Sequence, residues 1–448
     1  MMGIVFAEIF KFYSLILLPK IQTLNMNFTT FNSFKSRNFR LFFMGQSVSL
    51  LGTWMQKTAV SWVIYSLTQS KFMLGVTVFA TLFPTAIMSL YGGVIADRHN
   101  RHSVLLITQI VSLLQAILLT ISIVFFKDHA VWTIIVLSAV LGIINGFDVP
   151  ARQSLVREMV DNKDDLPNAL ALNSSMVNLS KLIGPALAGF ILESFGDEVC
   201  FGMNAMSFIP VIISLLLMRL PKQELKPKAD RNIKNEFKDA FNYIISTPEI
   251  HSVLIFVGLM SLFVLSFTTL TPAFAKDVFN GSASTLGVID GIIGFGAFIG
   301  AIFLASLKPG ANLVKVLAIN SLIFGVGLIL FSETSNYYLA LFFVGIAAFG
   351  MMSVRTITNT IIQVNVPNHF RGRVISIYVM TLTGLLPIGS LAIGSISHFI
   401  GVQATVLIQG VLAIVIALFY GKYLKKQKLK KEAVNLLKQR PEQGLGVK

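Results

Sequence analysis

Long apolar stretches recur along this sequence and constrain its fold more than any other feature. A helix needs about 20 mainly apolar residues to cross a bilayer, and twelve stretches meet this requirement. They run roughly over 40–66, 72–95, 103–126, 131–153, 168–194, 199–219, 250–275, 285–307, 312–332, 337–358, 374–398 and 402–423. Only 13% of the residues are charged, against about 25% in soluble domains. The sequence therefore predicts an all-α integral membrane protein with twelve transmembrane helices.

A polar linker divides the predicted helices six and six. In it, Ile233, Phe237, Phe241 and Ile244 recur at helical spacing, which indicates an amphipathic interfacial helix.

The true start of the chain is an open point, since Met26 is an alternative to Met1. We predict a cytoplasmic extension over 1–39, an N-terminal six-helix half over 40–219, the cytoplasmic linker over 220–249, a C-terminal six-helix half over 250–423 and a basic cytoplasmic tail over 424–448.

The basic residues are distributed unevenly between the two sides of the predicted bundle. If the N-terminus is cytoplasmic, the external loops hold only Lys71, Lys127 and Lys276 of the 36 basic residues. Lys57 and Lys181 fall inside the membrane, and all the others lie on the cytoplasmic side. This bias predicts that both termini are cytoplasmic in an inner-membrane protein. It also accounts for the net charge of +15 without a nucleic-acid partner.

Several function classes receive no support from the sequence. Cys200 is the single cysteine, which excludes an intramolecular disulfide or a multi-cysteine metal site, and the histidines have no metal-ligand spacing. A phosphate-binding loop is absent from the sequence, which argues against ATP-driven transport. We therefore expect neither an enzyme nor a cofactor or metal.

The two halves resemble each other in sequence. Gly142–Arg152 aligns with Gly345–Arg355, and Leu182–Pro185 falls near Leu385–Pro387, at an almost constant offset. A constant offset across two helices predicts two repeats of the same orientation, related by an axis along the membrane normal.

The loop between the second and third predicted helices carries the most specific motif. Gly93–His102 resembles the Gly-x-Leu-Ala-Asp-Arg-x-Gly-Arg signature of the major facilitator superfamily, with matches at Gly93, Asp97, Arg98 and Arg101. Asn100 replaces the second glycine. Because Asn tolerates the left-handed backbone conformation, we expect the turn to survive this replacement.

Further segments are similar to the enterobactin-exporter-like, or transmembrane secretion effector, branch of that superfamily. The resemblance covers about residues 34–425 and implies twelve helices in two pseudo-symmetric halves, acting as a monomer. The matching segments are 37–46, 52–56, 149–152, 168–170, 183–189 and 366–374.

The resemblance implies roles for two motifs. Asp97 would face the start of the eleventh helix, expected near Val374, so that the loop acts as a latch for the outward-open state. Its alternative is a loop charge that only sets topology. Gly184, Pro185 and Gly189 resemble the fifth-helix motif of exporters, and their alternative is ordinary helix packing.

Ionisable residues inside the membrane are the main candidates for the transport path, since each costs about 3 kcal/mol or more unless it is paired or hydrated. We predict an ion pair between Asp148 and Lys181, on adjacent helices. Arg152 and Arg355 would attract an anionic substrate or extend to lipid headgroups. The full set of cavity or coupling candidates is Gln46, Trp54, Gln56, Lys57, Asp148, Arg152, Lys181, Asp290 and Arg355.

These features favour a secondary active exporter that works by alternating access. Its substrate would be a siderophore-like or amphipathic small molecule, and its partners that substrate, membrane lipids and protons, with Asp148 and Asp290 as proton carriers. Alternatives are a multidrug antiporter, a lysophospholipid carrier and, from another class, a transport-dead sensor or scaffold.

Overall fold

The computed structural model describes residues 28–126, 129–220, 233–308 and 310–439. These ranges contain helices and turns but no β-strand. Most of the predicted extension, with the alternative start at Met26, and the end of the predicted tail lie outside the described residues.

Twelve long helices form the body of the molecule. They are α1 Arg37–Thr68, α2 Lys71–Arg98, α3 Arg101–Phe125, α4 Ala130–Leu155, α5 Leu166–Phe195, α6 Asp197–Leu217, α7 Pro248–Val278, α8 Ala283–Ala305, α9 Leu313–Glu333, α10 Tyr337–Asn365, α11 Asn368–Ile400 and α12 Val402–Gln439.

Length and apolarity suit these helices to crossing a membrane. In the described ranges, α2 to α12 each contain a span long and apolar enough to do so. Helix α1 is more polar, but its 32 residues reach about 48 Å at 1.5 Å per residue, and it packs against α5 and α6. The predicted all-α fold of twelve transmembrane helices is therefore confirmed.

The two six-helix halves repeat one packing arrangement. In the first half, α2 and α4 touch where a Cβ at Gly142 would collide with the carbonyl oxygen of Thr81. In the second, α8 and α10 touch where a Cβ at Gly296 would collide with the carbonyl oxygen of Gly345. Gly142 and Gly345 are equivalent in the predicted repeat, so close approach at a glycine recurs in both halves.

Helix α7 is broken near its end. It runs as an α-helix over Pro248–Phe263, as a 3-10 helix over Leu265–Leu270 and as a π-helix over Phe274–Val278. Pro272, at the junction, has no backbone N–H to continue the α-helical ladder. The Thr271 side chain, at this break, lies beside Asp290 of α8.

Two local details differ from the prediction. The turn at Asn100 is present as expected, but Asn100 does not adopt the left-handed conformation. It is the extended N-cap residue of α3 (φ −62°, ψ 112°), and its side chain accepts hydrogen bonds from the amides of His102 and Ser103, which is the usual capping role of Asn. Helix α11 begins at Asn368 rather than near Val374. Pro367 disfavours the helical conformation at Val366, which is extended and ends α10, so α11 begins directly after the proline.

The predicted amphipathic linker helix is present over Ile233–Ser246. Ile244 is buried, whereas Phe241 is 56% exposed. Tyr243 stacks on Phe370 of α11, with ring centroids 4.7 Å apart. The linker helix is thus docked onto the C-terminal half.

The two halves meet closely at one end of the bundle, which we call the outer end; it carries the α1–α2 and α7–α8 loops. There, a Cβ at Gly75 of α2 would lie 2.7 Å from the carbonyl oxygen of Ser390 of α11. Towards the opposite, basic end, a Cβ at Gly93 of α2 or at Gly384 of α11 would meet nothing within 4 Å. The close contact between α2 and α11 seen at Gly75 is therefore not repeated at these two glycines.

Candidate functional site

Two lysines, Lys57 and Lys181, lie over the indole ring of Trp54. The Nζ atom of Lys57 is 4.7 Å from the centroid of the Trp54 ring, and Nζ of Lys181 is 5.5 Å from it. Helix α5 comes this close to α1 because residue 184 is glycine; a Cβ there would lie 2.6 Å from Cβ of Trp54. Both distances lie within the range of cation–π attraction, which is about 6 Å.

The C-terminal half adds one carboxylate and one guanidinium to this site. Asp290 of α8 lies beside the hydroxyl groups of Thr58 and Thr271 and interacts electrostatically with Lys57. Arg355 of α10 is within electrostatic range of Lys57 and of Lys181. We call the set the central cluster; its members are Trp54, Lys57, Lys181, Asp290 and Arg355.

Positive charge exceeds negative charge in the central cluster. Among the described residues, Lys57, Lys181 and Arg355 form no ion pair within 4.0 Å. The Nε atom of Arg355 is buried without a hydrogen-bond partner. Lys57 is exposed although it lies in the middle of a membrane helix, and its interactions with Asp290 of α8 and Arg355 of α10 show that it faces the C-terminal half. Such a site can attract and hold an anion.

Two other predicted candidates lie outside the central cluster. Asp148 is buried in the N-terminal half, where Oδ1 accepts hydrogen bonds from Thr108 (3.1 Å) and Gln109 (2.7 Å). Its Oδ2 pairs with Arg152 one turn away, at 3.2 Å. The predicted ion pair between Asp148 and Lys181 is therefore wrong, because neighbours on α3 and α4 satisfy this carboxylate.

The two glutamines predicted on α1 are also internal to the N-terminal half. Gln56 is buried and accepts a hydrogen bond from Asn204 of α6. Gln46 is buried as well. Of the nine predicted cavity residues, the structure thus brings five together.

The motif of the α2–α3 loop fixes that loop to its own half. Arg101 forms an ion pair with Glu158, at 2.6 Å, and donates from Nε to the carbonyl oxygen of Ala96. Arg98 is exposed. The side chain of Asp97 lies outside the described part of the chain, so its role as a latch stays a prediction.

The glycine–proline motif of α5 lies against the other half. A Cβ at Gly189 would lie 2.7 Å from the carbonyl oxygen of Ala283, and one at Gly287 would lie 2.6 Å from that of Pro185. These small residues let α5 and α8 meet at the outer end. Its role as an exporter motif stays a prediction.

Side chains also join the halves at the outer end. Asp277 of α7 accepts a hydrogen bond from Tyr65 of α1 (2.5 Å) and pairs with Lys71 of α2 (3.2 Å). Glu193 of α5 accepts a hydrogen bond from Ser282, just before α8 (2.7 Å). Sequence reasoning missed these contacts, although Asp277 was visible as an acidic residue in a loop region with few charges.

Comparison with known proteins identifies the family. The model of the transmembrane secretion effector family matches residues 28–447. The chain belongs to this family. It is therefore a membrane transporter of small molecules and not an enzyme, and the resemblance found in its motifs is confirmed.

This family member is similar over most of its length to transporters of different substrates. It is 26% identical to the staphyloferrin A transporter of Staphylococcus aureus, with 88% of this chain and 98% of the relative covered. It is 25% identical to the enterobactin exporter of Salmonella typhimurium (85% and 90% covered). Identity to the macrolide efflux protein A of Streptococcus pyogenes is 22% (87% and 96% covered).

Solved structures share the fold of this transporter. A bacterial homologue of the lysosomal transporter spinster superposes with a TM-score of 0.68 at 15% identity, covering 87% of this chain and 97% of the other. A bacterial homologue of ferroportin superposes with a TM-score of 0.63 at 16% identity, with 86% and 98% covered. These likenesses establish the twelve-helix, two-half architecture.

Proposed function

We propose that this protein is a secondary active exporter that moves a siderophore-like small molecule out of the cell by alternating access. The observation that carries the proposal is the position of the central cluster. Its charged side chains come from α1 and α5 of one half and from α8 and α10 of the other. A molecule bound there contacts both halves and is well placed to couple its own binding to their relative movement.

The direction of access fits loading from the cytoplasm. The uneven distribution of Lys and Arg supports a cytoplasmic position of the basic end. In the proposed inward-open conformation the space between the halves opens towards that end, and the contacts of Asp277 and Glu193 hold the halves together at the other. The described conformation is then the one that accepts a substrate from inside the cell.

Asp290 is the proposed proton carrier. It contributes a carboxylate to the central cluster, where it lies beside Lys57 of the other half. Asp148, the other predicted carrier, is already bound by Arg152, Thr108 and Gln109. A protonatable group facing both the substrate and the other half is suited to coupling.

The experiment compares the small molecules retained and secreted by wild-type cells and by cells lacking this protein, in iron-poor and iron-rich media. We expect the deletion strain to retain, in iron-poor medium, a compound that wild-type cells secrete. Wild-type protein and the Lys276→Gln variant should restore secretion, whereas Lys57→Gln should not. Lys276 is the matched control, because its Nζ also lies over a tryptophan, Trp62, at 6.0 Å, but at the outer end.

A multidrug antiporter is the second candidate, favoured by the similarity to the macrolide efflux protein. In that case no iron-dependent compound accumulates, and the deletion strain instead becomes sensitive to added drugs.

Proton coupling is tested in everted membrane vesicles with a pH-sensitive dye. Substrate addition should dissipate the proton gradient in vesicles that contain the wild-type protein but not in vesicles that contain Asp290→Asn. Equal dissipation in both would contradict the role of Asp290.

A further inference from the structure

The central cluster differs from the ion pairs of the described chain in how its charges are balanced. In each of these pairs one cation has an acidic partner of its own: Arg101 pairs with Glu158, Arg152 with Asp148 and Lys71 with Asp277. In the central cluster, three cations share the single carboxylate of Asp290. The ligand that completes this site should therefore bring negative charge.

The three cations of the central cluster lie close enough to interact with one another. Lys57 and Lys181 both lie over the ring of Trp54, and Arg355 approaches both lysines from the other half. A single acidic group pairs well with one or two of these cations. A ligand with several acidic groups on one small skeleton pairs with all three.

We propose that the central cluster is a binding site for a polycarboxylate, with Lys57, Lys181 and Arg355 as its anion-binding side chains. The buried Nε of Arg355, which has no partner, donates to one carboxylate, and the two ammonium groups bind the others. The face of Trp54 packs against the carbon skeleton between them. This inference rests on the proposed transport function and names the chemical class of the substrate.

The chain supplies its own optical probe for this site. It contains three tryptophans, Trp54, Trp62 and Trp132, so Trp62→Phe with Trp132→Phe leaves Trp54 alone. An anion that draws Lys57 and Lys181 away from the indole ring changes the fluorescence of Trp54. The probe is citrate, and triethyl citrate serves as its neutral analogue with the same skeleton.

We expect citrate, titrated into the purified full-length protein, to give a saturable change in Trp54 fluorescence that weakens at high salt. Lys181→Gln and Arg355→Gln should each weaken binding about tenfold or more, as expected for loss of one charge-assisted hydrogen bond. Lys276→Gln, the outer-end control, should bind citrate like the parent. Triethyl citrate should give no response.

Three results would overturn the polycarboxylate site: no saturable response to citrate, an equal response to triethyl citrate, or unchanged binding in Lys181→Gln and Arg355→Gln. Lys181→Arg, which keeps the charge, guards against misfolding, because it should retain binding if the charge matters. Export in cells is measured separately. Export without citrate binding refutes the anion site alone, and citrate binding without export refutes the exporter alone.

Discussion

Removal of the Asp277 carboxylate should open the outer end of the transporter. In the described conformation, this carboxylate holds Tyr65 and Lys71 of the other half, at 2.5 and 3.2 Å. The hydrogen bond to a charged acceptor is worth about 1.5–3 kcal/mol. The Lys71 pair is partly exposed, so it adds about 0.2–1 kcal/mol.

Asp277→Ala removes both contacts, about 1.7–4 kcal/mol in total. At 1.36 kcal/mol per factor of ten, the equilibrium should shift towards the outward-open state by about 20- to 900-fold. Tyr65→Phe keeps the ion pair and should produce most of this shift. Lys71→Met keeps the tyrosine contact and should produce a small part of it.

The assay measures access to the outer interface through one engineered thiol. Cys200→Ser removes the single native cysteine. Ser390→Cys then places a thiol at a position of 1% exposure, where α11 meets Gly75 of α2. A membrane-impermeant thiol reagent, added outside intact cells, should label this position much faster in Asp277→Ala than in the parent.

Glu333→Gln is the matched control, because Glu333 is an exposed acidic residue at the same end and lies within the C-terminal half. Its labelling rate should equal that of the parent. If Asp277→Ala is labelled no faster than the parent, or if Glu333→Gln is labelled equally fast, the contacts of Asp277 do not hold the outer end closed.

Three further predictions concern stability and gating. Gly184→Leu should abolish export, because the leucine side chain would displace Trp54. The overpacking should also lower the free energy of unfolding of the purified protein by about 1–3 kcal/mol. Gly421→Ala, at an uncrowded position, is the control. Glu158→Gln should destabilise the α2–α3 loop by about 1–3 kcal/mol through loss of the Arg101 pair, seen as faster proteolysis there; unchanged proteolysis would contradict this. Asp97→Asn should abolish export at near-normal expression, and normal export would refute the latch.

Much of the fold could be predicted because the bilayer imposes one strong rule on the backbone. Each spanning segment must satisfy its own hydrogen bonds in a long apolar helix, so apolar length alone located the twelve helices. The linker helix followed from the spacing of Ile233 and Ile244. The first residues of helices were harder to predict, since the start of α11 at Asn368 depends on a single proline, Pro367.

Partners of charged residues were predicted less well, for two separate reasons. The pairing of Asp148 with Arg152 is local, at a spacing of four residues, and the helix itself makes this contact possible. The sequence contains that signal, whereas the predicted partner, Lys181, lies on another helix. The approach of Asp290 to Lys57 joins residues from different halves, and only the assembled bundle brings them together.

Helix α1 shows where the hydropathy signal is weakest and why. It is more polar than the other spans, because it carries Gln46, Gln56, Lys57 and Thr58. Three of these are buried and Lys57 faces the C-terminal half, so these side chains are shielded from lipid. A span enclosed by other helices is free of the requirement for apolar side chains and can carry polar groups for a ligand. In this chain, the polar character of α1 therefore has two sources: contacts inside its own half at Gln46 and Gln56, and the contribution of Lys57 to the central cluster.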